Sequence, residues 1–195
     1  FRPVKIGERI VIKPSWREYP AAPGDIVIEI DPGMAFGTGT HHTTAMCLKL
    51  LEELVRPGDT VFDIGTGSGI LAVAAAKLGA GRVLAVDADP VAVRVARENV
   101  AVNAAAAVTV AAGDLVAGLA GPADIIVANI IAAVIIRLVP AAPPLLAAGG
   151  AFLAGGIIAA KAGEVADAVR AAGLAVEKVV EEGDWVTILA RRRRN

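Results

Sequence analysis

Short apolar runs and longer segments with helical spacing alternate along most of this chain. Residues 60–64 form a short, β-branched, apolar run that reads as a buried strand. Residues 65–69 are a glycine loop, and 70–78 a helix stopped by Gly79 and Gly81. A second strand, 82–86, precedes Asp89-Pro90, a cap and first-turn pair that opens a helix to about Val102. Residues 108–111 are a third strand. In the run 125–139 a buried strand, 125–128, is followed by a helix. A fifth strand, 151–154, follows Gly149-Gly150, and 163–171 continues a helix. Two closing strands, 175–180 and 185–190, flank a hairpin turn at 181–184. Upstream, 26–30 reads as a strand between Pro23-Gly24 and Asp31-Pro32-Gly33. A glycine-rich stretch follows, then a helical pattern to about Val55 that Pro57-Gly58 stops.

This alternation predicts an α/β fold: a Rossmann-like, mostly parallel seven-stranded sheet with helices on both faces. The last connection is too short for a parallel crossover, so the final strand should be antiparallel. There is no internal repeat, and 195 residues suit one domain, with 1–30 as its lead-in.

Composition narrows the setting. Cys47 is the single cysteine, so no internal disulfide can form, which fits a reducing cytoplasmic location. A net charge of -1 gives no signal for direct nucleic-acid binding or for a membrane, and a monomer is expected. The most apolar run, 125–139, is too short to span a bilayer, contains Asn129 and Arg137, and ends at Pro140. No signal peptide is visible, and a chain opening on Phe1 suggests further residues upstream.

The strongest chemical signal is Val61-Phe62-Asp63-Ile64-Gly65-Thr66-Gly67-Ser68-Gly69, a strand running into glycines and then a helix. Such a turn lets backbone approach a ligand at the carboxyl edge of a parallel sheet. A dinucleotide loop favours G-x-G-x-x-G; here the spacing is G-x-G-x-G, with Asp63 two residues before the first glycine. That carboxylate would repel a pyrophosphate but could hold the amino end of a cationic ligand such as S-adenosylmethionine. A tight turn with no ligand is the bland alternative. Asp87 ends the second strand about 20 residues on, where an acid can accept both ribose hydroxyls. Asp89 is better placed than Asp87 to cap the next helix. Asp114, after Gly113, could face an adenine or be a plain turn residue.

Asn129 ends the fourth strand as a lone polar residue in an apolar run. An unpaired buried amide costs about 1–3 kcal/mol, so it should have a partner, either an incoming nucleophile that it orients or the following helix that it caps. The stretch 33–44 could close over a ligand, though Thr43 or Thr44 could equally cap a helix. His41 and His42 bring no metal-binding pattern with them, so no metal is expected. Cys47 lies on an apolar helix face and reads as core, not nucleophile. Arg191 to Arg194 read as a solvated end, with contact to RNA or an acidic partner as the sharper alternative.

Three stretches then carry a resemblance. Asp31-Pro32-Gly33-Met34-Ala35-Phe36-Gly37-Thr38-Gly39-Thr40-His41 with Thr43-Thr44, the loop 63–69, and Asn129-Ile130-Ile131-Ala132 resemble, in order and spacing, the bacterial ribosomal protein L-eleven methyltransferases. The resemblance covers essentially the whole chain. It implies an S-adenosylmethionine methyltransferase fold with cofactor contacts at Thr44, Gly65, Asp87 and Asn129, alongside Asp63 and Gly67 from the loop reading. It also implies methylation of lysine side chains and the terminal amine of ribosomal protein L-eleven, with another protein's lysine or a small molecule as the alternative acceptor. A separate amino-terminal recognition domain, which the family usually carries, lies outside these residues. Two departures accompany the match: His42 stands where many relatives have proline, and the region of Asn103-Ala104 lacks an expected glycine. An NAD-dependent oxidoreductase and a non-catalytic scaffold are the other readings. Asn129 is the expected catalytic residue, aiming a neutral amine for in-line displacement, and no general base stands out.

Overall fold

The computed structural model describes residues 2–31 and 42–194. The main sheet runs β4 (Thr60–Ile64), β5 (Arg82–Asp87), β6 (Val108–Ala112), β7 (Ala123–Asn129), β8 (Leu146–Ile158), β9 (Ala175–Glu182) and β10 (Trp185–Arg191) along the chain. In space the order is β6-β5-β4-β7-β8-β10-β9. The pairings among β6, β5, β4, β7 and β8 are parallel, and β10 lies antiparallel to both β8 and β9. The expected seven-stranded α/β sheet with an antiparallel last strand is therefore borne out. Its final hairpin folds back so that β10 fills the slot between β8 and β9, leaving β9 at the edge.

Helices α1 (His42–Leu54), α2 (Ile70–Lys77) and α3 (Pro90–Val102) cover one face of the sheet, and α4 (Ala132–Leu138) and α5 (Ala162–Ala171) the other. The period-2 alternation of the inner strands serves both layers. Val61, Ile125, Val127 and Leu153 pack under α1–α3, while Phe62, Ile64, Ile126 and Phe152 pack under α4–α5. Asp63 and Asn129, in step with Val61 and Val127, therefore fall on the α1 side.

Within the stretch expected as a lead-in with one strand, residues 4–29 carry a second small sheet. It comprises β1 (Val4–Ile6), β2 (Ile10–Lys13) and β3 (Ile26–Glu29), with β1–β2 antiparallel and β2–β3 parallel. Ile6, Ile10, Ile12, Ile26, Ile28 and Ile30 enter the α1–α3 core, so this sheet shares the hydrophobic core of the main one. Polar ties fix it. Glu52 of α1 accepts from the N–H groups of Glu8 and Arg9 (3.0 and 2.6 Å), and Lys77 Nζ of α2 donates to the Val27 carbonyl (2.8 Å). Asn103, just past α3, pairs with the backbone of Glu29 in both directions (2.8 and 2.9 Å). Among the described residues, no helix is long and apolar enough to cross a membrane.

Candidate active site

Thr44, Asp63, Gly65, Gly67, Asp87 and Asn129 all line one cleft of about 540 Å³ at the carboxyl edge of the parallel strands. The glycine loop makes its floor. Gly65, Gly67 and Gly69 have φ of 73°, 56° and 84°, a left-handed run that side chains resist. At Gly65 space matters as well: a Cβ there would come 2.5 Å from Ile130 Cγ2 across the cleft. Gly69, the residue before α2, packs on Ala96 of α3, where an added Cβ would sit 3.2 Å from the alanine Cβ.

Two carboxylates flank the loop in different surroundings. Asp87, at the end of β5, accepts from Gly67 N–H through one oxygen and from Asp89 N–H through the other, both at 2.9 Å. It thus ties the loop to the strand end, while Asp89 caps α3 by accepting from Val91 N–H at 2.9 Å. Asp63 is 1 % exposed and accepts from the Thr66 hydroxyl at 2.7 Å. Burial pushes its carboxyl up to about 6, with Asp87 adding to the rise, although Thr66 and the Ala72 N–H pull the other way. A cation in the cleft would find an acid below it that water does not screen.

Asn129, at the end of β7, reaches α1: its Nδ2 donates to Thr44 Oγ1 at 3.3 Å. Its Oδ1 is buried and has no hydrogen-bond partner among the described residues. That oxygen rests against Gly155 of β8, where a Cβ would lie 2.9 Å from it and 2.6 Å from Cys47 Sγ. An orphaned acceptor at the end of a central strand calls for a donor from elsewhere. The helix-cap alternative for Asn129 fails: α4 starts after Ile131, with no side-chain cap.

Other candidates separate cleanly. Asp114 lines the cleft but its side chain is 80% exposed, 3.9 Å from Arg137 of α4. His42 opens α1 at the surface with Nδ1 3.2 Å from Glu182. His41 and residues 32–40 lie outside the described residues, so the expected closure of 33–44 over the ligand can be followed only at 42–44, where Thr43 and Thr44 are buried in α1. Cys47 is core, its thiol pushed up to about 12 by burial and by Asp63. Arg191 belongs to β10 and pairs with Glu177 at 2.8 Å, and Arg192 donates to the Leu146 carbonyl, so half of the basic run is fastened down. Among the described residues no three His, Cys, Asp or Glu side chains converge as a metal site.

Sequence reasoning missed several wall residues. Trp185, the first residue of β10, lines the cleft, as do Ile131 just before α4 and Val134 and Arg137 within it. Leu115 lines it in a left-handed conformation (φ 52°), an unusual state for a bulky side chain. Gly156 (φ 75°) lets the backbone of Ile130 lie against β8, where a Cβ would come 2.7 Å from the Ile130 carbonyl oxygen.

Comparison with known proteins identifies relatives of this arrangement. The sequence pattern of the family described as ribosomal protein L11 methyltransferase (PrmA) matches residues 1–193. The ribosomal protein L11 methyltransferase of Pelotomaculum thermopropionicum is 58% identical over 192 residues, which cover 98% of this chain and 62% of the relative's length. The crystal structure of ribosomal protein L11 methylase from Lactobacillus delbrueckii subsp. bulgaricus matches with a TM-score of 0.91 at 33% identity, covering 99% of this chain and 100% of that one. A SAM-dependent O-methyltransferase from Thermotoga maritima shares the fold alone, with a TM-score of 0.69 at 17% identity over 76% of this chain and 64% of its own. With the family's pattern unbroken across both sheets, this chain belongs to the ribosomal protein L11 methyltransferase family.

Proposed function

We propose that the cleft binds S-adenosylmethionine and that the chain directs its methyl group to amino groups, lysine side chains and the amino terminus, of ribosomal protein L11. The observation that carries this reading is the meeting, in one cleft, of a glycine loop flanked by buried Asp63 with the orphaned carboxamide of Asn129. Family membership supports the acceptor, since relatives named for ribosomal protein L11 share the chain's full pattern. Because the chain spans 62% of such a relative's length, the acceptor is inferred for the cleft and tested directly.

The residues present fit the cofactor. Asp87 keeps lone pairs free for ribose hydroxyls while its two backbone donors fix it, and Asp63 offers a buried negative charge to the cationic amino-acid end. Gly65 and Gly67 leave room for the ligand to lie on bare backbone. Bound S-adenosylmethionine supplies an activated methyl on a sulfonium, ready for in-line displacement. The chain's own work is then positioning and exclusion of water. A lysine ammonium has a reference pKa near 10.4, and the apolar walls of Ile130, Ile131 and Trp185 favour its neutral form by desolvation. Asn129 Oδ1 accepts one N–H of that amine and so aims its lone pair. Thr44 restrains the other end of the carboxamide. The residues that we assign to the cofactor are Thr44, Asp63, Gly65, Gly67, Asp87 and Asn129, with Asn129 also acting on the acceptor.

The test is methyl transfer from labelled S-adenosylmethionine to unmethylated bacterial ribosomal proteins, with peptide mapping by mass spectrometry. Label on lysines and the amino terminus of L11 is the expected result. Label on another protein's lysine, or only on a small amine, would keep the chemistry and replace the acceptor. Tighter binding of NAD than of S-adenosylhomocysteine would overturn the cofactor.

A further inference from the structure

The glycine loop is held from behind as well as from the cleft. On α3, Asn99 Nδ2 donates to the carbonyl of Ser68, inside the loop, at 2.7 Å. One turn earlier, Ala96 packs on Gly69, so two successive turns of α3 back the last two residues of the loop. Asn99 itself does not line the cleft. Its own carbonyl accepts from the side chain of Asn103 at 2.8 Å, and Asn103 is clamped to the backbone of Glu29 in β3. The helix end that carries Asn99 is thereby tied to the small sheet, and Asn99 reaches from that anchored end to the loop.

We infer that Asn99 is a positioning residue for cofactor binding, acting through the Ser68 carbonyl on the conformation of residues 65–69. This rests on the reading of the cleft as a cofactor site. The physical case is one of preorganisation. Three left-handed glycines make a loop that is entropically costly to hold, and each glycine widens the set of conformers available to the free protein. From the cleft side Asp87 holds Gly67. From the far side Asn99 holds Ser68, one residue along. With both hydrogen bonds in place the loop is presented in a single shape. Without Asn99 a share of the binding free energy goes into selecting that shape, and affinity falls by the population lost. The acceptor side is untouched, because Asn129 and Thr44 belong to β7 and α1.

The experiment compares Asn99→Ala with Asn103→Ala in the full chain, by calorimetric titration of S-adenosylhomocysteine and by steady-state kinetics. Wild type must bind; if it does not, the cofactor reading itself fails, which is a different result from failure of this inference. Asn99→Ala should weaken S-adenosylhomocysteine binding about tenfold, the worth of one hydrogen bond to a well-ordered loop. KM for S-adenosylmethionine should rise in step, while kcat at saturation and KM for the acceptor stay within twofold. Asn103→Ala removes the clamp on Glu29 at the end of the same helix; it should lower the melting temperature of the free protein and weaken affinity no more than about threefold, because the bond from Asn99 to Ser68 stays in place. Unchanged affinity in Asn99→Ala would overturn the inference. So would equal weakening by both variants, because that outcome makes the effect a general loosening of α3.

Discussion

At the scale of single residues, the cleft holds two polar groups in opposite condition, a buried Asp63 and a half-buried Asn129 whose Oδ1 is buried. Asp63 is a carboxyl lifted to about 6, first by burial and then by Asp87. Its reference value is 3.8, so between about pH 4 and 6 the folded chain keeps a proton that the unfolded chain has shed. The free protein should therefore lose stability as pH rises through that window. A cationic ligand gains over the same interval, because it needs the ionised form. Affinity for S-adenosylmethionine should climb as pH rises through about 6 and level off above 7. Asp63→Asn should flatten the climb, and a titration series from pH 5 to 8 checks both statements. Asn129 is a neutral group short of one donor. Asn129→Ala should reduce kcat about 100-fold, the scale of a lost transition-state hydrogen bond with loss of aim. S-adenosylhomocysteine affinity should change far less, and unchanged turnover would remove Asn129 from the chemistry. Both groups were legible in the sequence for one reason: a polar residue in an otherwise apolar strand must be compensated or used.

At the scale of elements, the end of α3 shows what composition can hide. The patch 104–107 looks featureless. In the structure Ala104 adopts φ 50°, its N–H bonding Ala101 O at 3.1 Å while Ala105 N–H bonds Val100 O at 3.1 Å. These paired bonds close a Schellman motif around a left-handed residue, a place that glycine normally takes. The sequence had flagged a missing glycine here, and the fold gives the reason: the helix must end in this way for Asn103 to reach Glu29. Alanine pays a steric penalty there, so Ala104→Gly should stabilise the chain by about 1 kcal/mol. On a domain of this size that raises the melting temperature by about 2–4 °C. A drop on calorimetry would mean that the methyl contributes packing that outweighs the strain. The strands β1 and β2 escaped the sequence reading because β1 is only three residues long and β2, as short as β3, lacks the Pro-Gly pairs that bracket β3. Ile10 and Ile12 of β2, though, are buried as deeply as any isoleucine in the main sheet.

At the scale of the whole molecule, topology sets the order of groups along the cleft. The order β5-β4-β7-β8-β10 runs along the carboxyl edge from Asp87 through the glycine loop to Asn129 and on to Trp185. Because β10 is antiparallel, its first residue falls where the parallel strands end. The sequence held both facts, an antiparallel last strand and a tryptophan opening it, and together they place Trp185 at the cleft; neither does so alone. Gly67 and Asp87 occupy the β4–β5 end, so Trp185 stands beyond Asn129, on the side left for the proposed amine acceptor. Half-buried there near exposed Ile131 (66%), it offers an aromatic wall to an aliphatic stem. Trp185→Ala should raise KM for the acceptor about tenfold, as expected for one lost aromatic contact, with S-adenosylhomocysteine affinity held within about threefold. The two constants are to be measured on the same preparation. If cofactor affinity falls and acceptor KM does not, the polarity of the cleft is reversed from that inferred here, with the nucleoside end under β10. If both shift together, Trp185 supports the shape of the cleft without discriminating between its two ends.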